Sequence, residues 1–192
     1  MRVLVACEFS GAVRSAFRRH GHEAWSCDLL PADDGGEHIQ GDVLGVLGDG
    51  WDLMVAHPPC THLAVSGARY FASKVSEQKD ALLFVQSLLD APIQRIALEN
   101  PVSVISTRIR KPDQIVQPYQ FGHPESKKTC LWLKNLSPLK HTNVLRRDGP
   151  WDNQTKSGQN KLPPSEDRWK LRSKTYSGIA EAMASQWGKE SA

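Results

Sequence analysis

Apolar residues in the first half of the chain fall into short runs separated by polar turns, and the runs alternate between two periods. Arg2 to Phe9 is a nearly unbroken apolar run, the mark of a strand buried on both faces. Gly11 to His20 has helical spacing and closes at Gly21, and Glu23 to Leu30 is a second strand, so the chain opens as a βαβ unit. A short strand is predicted near His38 to Asp42 and another at Leu53 to Ala56. A helix follows from about Ser76 to Leu89 with Leu82, Val85, Leu88 and Leu89 on one face, then a strand beginning at Ile96. Such alternation predicts an α/β fold of Rossmann-like type, a mostly parallel sheet with helices on both faces. Val116 to Phe121 and Thr129 to Lys134 are close enough to pair as a hairpin, which would end the sheet mixed. Residues 135–172 are rich in Pro, Asn, Lys and Arg without a sustained period, and a last helix is predicted from Tyr176 to Trp187.

A length of 192 residues suits one domain, spanning 1–192, with a core of ordinary size. No apolar stretch approaches the ~20 residues of a membrane span, and the N-terminus lacks the pattern of a secretory signal. We therefore expect a cytoplasmic protein without membrane contact. Cys7, Cys27, Cys60 and Cys130 are scattered, which suits reduced thiols better than a disulfide framework. Net charge is only +3, yet residues 1–100 carry 8 Lys and Arg against 13 Asp and Glu, while residues 101–192 carry 16 against 8. The basic half suits phosphate and the acidic half a cationic or hydroxyl-rich ligand.

The most informative segment is Leu53 to Thr61, where an apolar strand runs into Pro58 and Pro59 and delivers Cys60 beyond its carboxyl end. That is where the ligand crevice of an open α/β sheet lies, and two fixed φ angles stiffen the turn that aims the sulfur. Some 40 residues on, Ile96-Ala97-Leu98 ends in Glu99-Asn100-Pro101, so a carboxylate is expected to face the thiol. Phe9-Ser10-Gly11 joins the first strand to its helix, where Gly11 permits close backbone approach and the helix N-terminus offers free N–H groups. Asp28, beside Leu29, and Asp42, beside Val43, end the next two strands, so a nucleoside laid across the strand ends would meet Gly11, Asp28 and Asp42 in turn.

The pairing of Pro58-Pro59-Cys60 with Glu99-Asn100 resembles the DNA cytosine-5 methyltransferase family. Phe9-Ser10-Gly11 is similar to its S-adenosylmethionine turn, Asp28 to its ribose-binding acid and Gly41-Asp42-Val43 to its adenine-contacting segment. Phe121 to Thr129 resembles its Gly-x-Pro-Gln-x-Arg-x-Arg segment, and Ser177 to Ala182 its last helix. The resemblance implies an enzyme that uses S-adenosylmethionine to methylate DNA cytosine at carbon 5, with Cys60 as nucleophile and Glu99 on N3, supported by Asn100 and Pro59. No stretch is long enough for the family's separate target-recognition domain; 135–172 is the remaining segment for that purpose, with Asn143, Asn153, Gln154 and Gln159 as base-edge candidates. Lys127, Lys128, Arg146, Arg147, Arg168, Lys170 and Arg172 are candidates for DNA phosphates, and a homodimer is one way to supply further contacts. Three alternatives stay open: transfer of a modified group from an S-adenosylmethionine derivative, a DNA-binding or inhibitory protein without activity, and a metal cluster of His57, Cys60, His62 and His123, which lacks paired ligand spacing.

Overall fold

The computed structural model describes residues 1–189. Seven strands form one sheet: β1 (Arg2–Ala6), β2 (Glu23–Asp28), β3 (His38–Gln40), β4 (Leu53–Ala56), β5 (Arg95–Pro101), β6 (Gln114–Val116) and β7 (Thr129–Lys134). Their order is β3-β2-β1-β4-β5-β7-β6, with β1 to β5 parallel and β7 antiparallel to both neighbours. This is a Rossmann-like α/β fold with a mixed edge. The order reverses between β1 and β4, which opens the ligand crevice of such sheets at the carboxyl ends of those strands.

The helices are α1 (Ala12–Arg19), α2 (Val75–Leu89), α3 (Ile105–Arg108), α4 (Arg168–Ser173) and α5 (Ser177–Trp187). Alternation along β1 sends Val3 and Val5 to one face and Leu4 and Ala6 to the other. The first pair joins Phe17 of α1 and Ile179, Met183 and Trp187 of α5; the second joins Val85 and Leu88 of α2 and Ile105 of α3. Two cores on one sheet are what a continuous apolar strand requires.

Several ends differ from the sequence pattern, each for a local reason. β1 stops at Ala6 rather than Phe9 because Cys7 adopts a φ of 58°, outside the extended region. β2 stops at Asp28, whose Oδ1 accepts the N–H of Leu30 at 2.9 Å and turns the chain. The hairpin strand expected at Val116 to Phe121 ends at Val116, since Pro118 carries no N–H and begins a 3₁₀ turn over Pro118–Gln120. Residues 135–172 are mostly irregular as expected, but α4, which no period announced, begins within them at Arg168.

Trp187 is fully buried where α5 closes its core, and its Nε1 donates to the Ser137 carbonyl at 2.9 Å. Trp187→Ala should lower the unfolding free energy by about 3–5 kcal/mol. Leu83→Ala, at a side chain 57% exposed on α2, should change it by less than about 0.5 kcal/mol. Urea denaturation of both variants checks that α5 belongs to the cooperative unit.

Candidate active site

Parallel pairing places Ala56 of β4 opposite Leu98 of β5, so His57, just past the end of β4, lies beside Glu99, which is still within β5. His57 Nδ1 lies 3.4 Å from Glu99 Oε2, and both side chains are largely buried, 10% and 17% exposed. His57 Nε2 has no hydrogen-bond partner among the described residues. The next pair is joined as well, since the fully buried Asn100 donates from Nδ2 to the Pro58 carbonyl at 2.9 Å. Beyond Pro59, the Cys60 carbonyl accepts from Leu63 and Ala64 at 3.0 and 2.9 Å, and the turn is clipped to the end of β5 by Val65 N–H to Val102 O and Val104 N–H to Leu63 O. Cys60 is thus an exposed residue on a loop held from both sides.

Charge binds the same residues together. Burial raises the Glu99 carboxyl, but contact with His57, the Lys127 ammonium and the Thr129 hydroxyl outweigh it and hold the carboxyl below the usual carboxylate range. Partial desolvation pushes the Cys60 thiol up and the Glu99 charge pushes it further, while Lys127 and Arg172 oppose them. The Lys127 charge therefore acts on both groups. Lys127 Nζ donates to the Arg172 carbonyl at 2.8 Å. Lys128 and Arg146 are exposed, whereas Arg147 is engaged by Asp152.

On the other side of the switch point, Cys7 sits between the ends of β1 and β2, its thiol pushed up to about 12 by burial and then by Asp28, Cys27 and Asp42. Asp28 and Asp42 thus both lie close enough to Cys7 for their charges to act on it. Each uses one oxygen in a local turn, Asp28 to Leu30 N–H and Asp42 to Leu44 N–H. Leu29 is exposed beside them, and Val43 is buried in the α2-side core. The start of α1 differs from expectation. Its N–H groups are not free: Glu8, 5% exposed, accepts from Val13 at 2.7 Å and Arg14 at 3.2 Å, with the Ser10 hydroxyl on the same carboxylate. A Cβ on Gly11, whose φ is 68°, would strike Arg14 and Asp34, so the close approach at this glycine is made by that ion pair. Phe9 is covered by Trp169 of α4, ring centroids 5.8 Å apart.

The expected segments near the end of the chain do meet. The N–H of Gly178 donates to His123 Nε2 at 2.9 Å, and a side chain at Gly178 would strike the Phe121 carbonyl, so the Phe121–Thr129 segment packs on the start of α5. Of the base-edge candidates, Asn153 spends its amide on the Ser126 backbone and Gln154 on Trp151 N–H and Gly158 O; both hold the loop together. Sequence reasoning missed the roles of His57, Thr129 and Glu8. Only Glu8 carried a usable signal, an acid a few residues ahead of a helix start.

No protein-family model matches the chain, and no curated protein does. Among solved structures, an Escherichia coli prophage-encoded protein assigned as a DNA modification methyltransferase is 12% identical with a TM-score of 0.46, the alignment covering 69% of this chain and 46% of that one. A mutant of Spodoptera frugiperda DNMT2 is 14% identical with a TM-score of 0.47, covering 76% of this chain and 54% of that one. The chain spans about half the length of these two structures. Similarity at this level concerns the course of the chain and leaves the chemistry to the residues.

The depressed Glu99 carboxyl contributes stability that is full above the ordinary carboxylate range and fades as pH falls through its lowered value. His57→Phe removes the donor, so Glu99 should titrate at a higher pH and acid unfolding should begin at a higher pH. Carbon-13 NMR titration of labelled Glu99, with circular dichroism through the same range, reads both.

Proposed function

We propose that this chain is an S-adenosylmethionine-dependent DNA (cytosine-5) methyltransferase acting through a covalent Cys60 adduct. The supporting observation is the convergence of a proline-stiffened thiol and a buried, ionised carboxylate at adjacent strand ends under one cation, Lys127. Carbon 5 of cytosine is a poor nucleophile until carbon 6 has accepted an electron pair. In this scheme the Cys60 thiol gives up its proton, its sulfur bonds to carbon 6, N3 takes a proton, and Glu99 holds N3 and the exocyclic amine. After methyl transfer the carbon 5 proton leaves and the sulfur–carbon bond breaks, restoring Cys60.

The raised thiol fits this order of events. Glu99 is one of the two causes that hold the thiol protonated, and its charge is offset once it meets a protonated N3, while Lys127 and Arg172 continue to favour thiolate. Substrate binding therefore activates the nucleophile, which keeps it quiet in the free protein.

S-adenosylmethionine, when bound, supplies a methyl group on a sulfonium. The residues of the β2 and β3 ends fit that cation and its ribose hydroxyls, since Asp28 and Asp42 each keep a carboxylate oxygen beyond the one used in the local turn, whereas the expected Phe9 ring is buried under Trp169. The start of α1 fits the cofactor's carboxylate less well, because Glu8 already holds its N–H groups. The partner in this proposal is DNA, its phosphates met by Lys128 and Arg146 among the exposed bases.

Mass spectrometry of nucleosides from DNA incubated with the protein and S-adenosylmethionine should show 5-methylcytosine. Cys60→Ser should abolish it while leaving cofactor and DNA binding intact, because a neutral hydroxyl is a far weaker nucleophile than a thiolate. Turnover by this variant would rule out the covalent route, and a heavier adduct on cytosine would reveal a modified donor.

Asp28→Ala and Asp42→Ala should each weaken S-adenosylmethionine binding by roughly 1.5–3 kcal/mol, the size of a lost charged hydrogen bond. Titration calorimetry reads the change, and unaltered affinity in both variants would remove this crevice from cofactor binding.

A further inference from the structure

Helix α4, Arg168–Ser173, buries none of its residues, and its large apolar side chains stand in solvent, Trp169 52% and Leu171 56% exposed. Six residues form no stable helix alone, so its position depends on ties to the rest of the molecule. Three are present. Trp169 packs on Phe9 at 5.8 Å, the Arg172 carbonyl accepts from Lys127 Nζ at 2.8 Å, and Lys174, just past the helix, pairs with Asp33 at 2.9 Å. These ties stretch the helix from the β1–α1 turn to the residue that acts on Cys60 and Glu99, so α4 overhangs the crevice.

Helical geometry orients the two exposed side chains differently. Residues three apart share a face, so Trp169 lies on the side of Arg172, whose charge reaches Cys60; Leu171 lies on the side of Arg168. The charge around Cys60 is also one-sided. The cleft of about 320 Å³ beside Pro59 and His62 includes Glu77 and Asp80 in its walls, which repel phosphate, whereas α4 carries Arg168, Lys170 and Arg172 next to Lys127. An exposed indole with cations around it, Lys170 Nζ 5.6 Å from its ring, is the chemistry of base stacking beside a phosphate backbone.

We propose that α4 is the DNA-opening element of this chain, with Trp169 entering the space that a target cytosine leaves when it swings out of the duplex and the α4 cations holding the adjacent phosphates. It rests on the cytosine transfer proposed for Cys60, and it gives the duplex-opening role to α4 and not to the loop before it, which is bonded to Tyr119, Gln120, Pro124 and Ser126. Flipping costs a few kcal/mol of unstacking, and a side chain that fills the gap recovers part of it.

The test compares wild type with Trp169→Ala and Leu171→Ala on two substrates of one sequence, a duplex and a single strand, with 2-aminopurine beside the target cytosine. Trp169→Ala should lose about tenfold or more in transfer to duplex and stay within about twofold on the single strand, where no unstacking is needed. Wild type should raise 2-aminopurine fluorescence on duplex binding, Trp169→Ala should not, and Leu171→Ala should match wild type in both measurements. Equal loss on both substrates, or weakened S-adenosylmethionine binding, would make Trp169 a cover over the cofactor crevice and overturn the proposal; so would unchanged transfer to duplex. If wild type transfers nothing to either substrate, the cytosine chemistry fails, and the fluorescence comparison alone decides for or against the opening role.

Discussion

The parallel register of β4 and β5 is the constraint on which the site depends. With Ala56 opposite Leu98, β4 ends while β5 runs on to Pro101, and the residues after Ala56 stay beside β5, His57 next to Glu99 and Pro58 next to Asn100. The Asn100 to Pro58 hydrogen bond then fixes the direction in which the chain leaves β4, and consecutive prolines carry that direction to Cys60. A slip of one residue would turn Glu99 to the opposite face of the sheet and part it from His57.

Two acidic environments flank this register, and they are built differently. Glu99 is largely buried and kept ionised by His57, Lys127 and Thr129, so its charge is strong and local and acts on the Cys60 thiol. Asp28 and Asp42 lie in open turns around Cys7, where they make a broad negative rim better suited to hydroxyls and a cation. Between them the start of α1 is closed by Glu8 and by the Arg14–Asp34 pair, which turns a helix end into a structural joint.

The segment after β7 shows how a small α/β domain spends side chains to order a long loop. Tyr119 stacks on Trp151 at 4.5 Å, and Asn153 and Gln154 satisfy backbone groups that would otherwise lack partners. Asn153 and Gln154 are thereby committed to the loop itself, while Lys128 and Arg146 stay exposed.

The sheet, its alternation with helices and Asp28 at the end of its strand were legible in the sequence, because buried strands and amphipathic helices write their periods directly into neighbouring residues, whereas Glu99 lies inside β5 and Asp42 caps the turn after β3. Strand ends were less legible, since a single φ at Cys7 or a side-chain turn at Asp28 decides them. Tertiary structure alone decided that β7 would insert between β5 and β6, that Thr129 and Lys127 would come to Glu99, and that α4 would lie across the crevice. Each depends on contacts between residues tens of positions apart. A hydrophobic period records which face of an element is buried, but not which distant charge or ring will be brought against it.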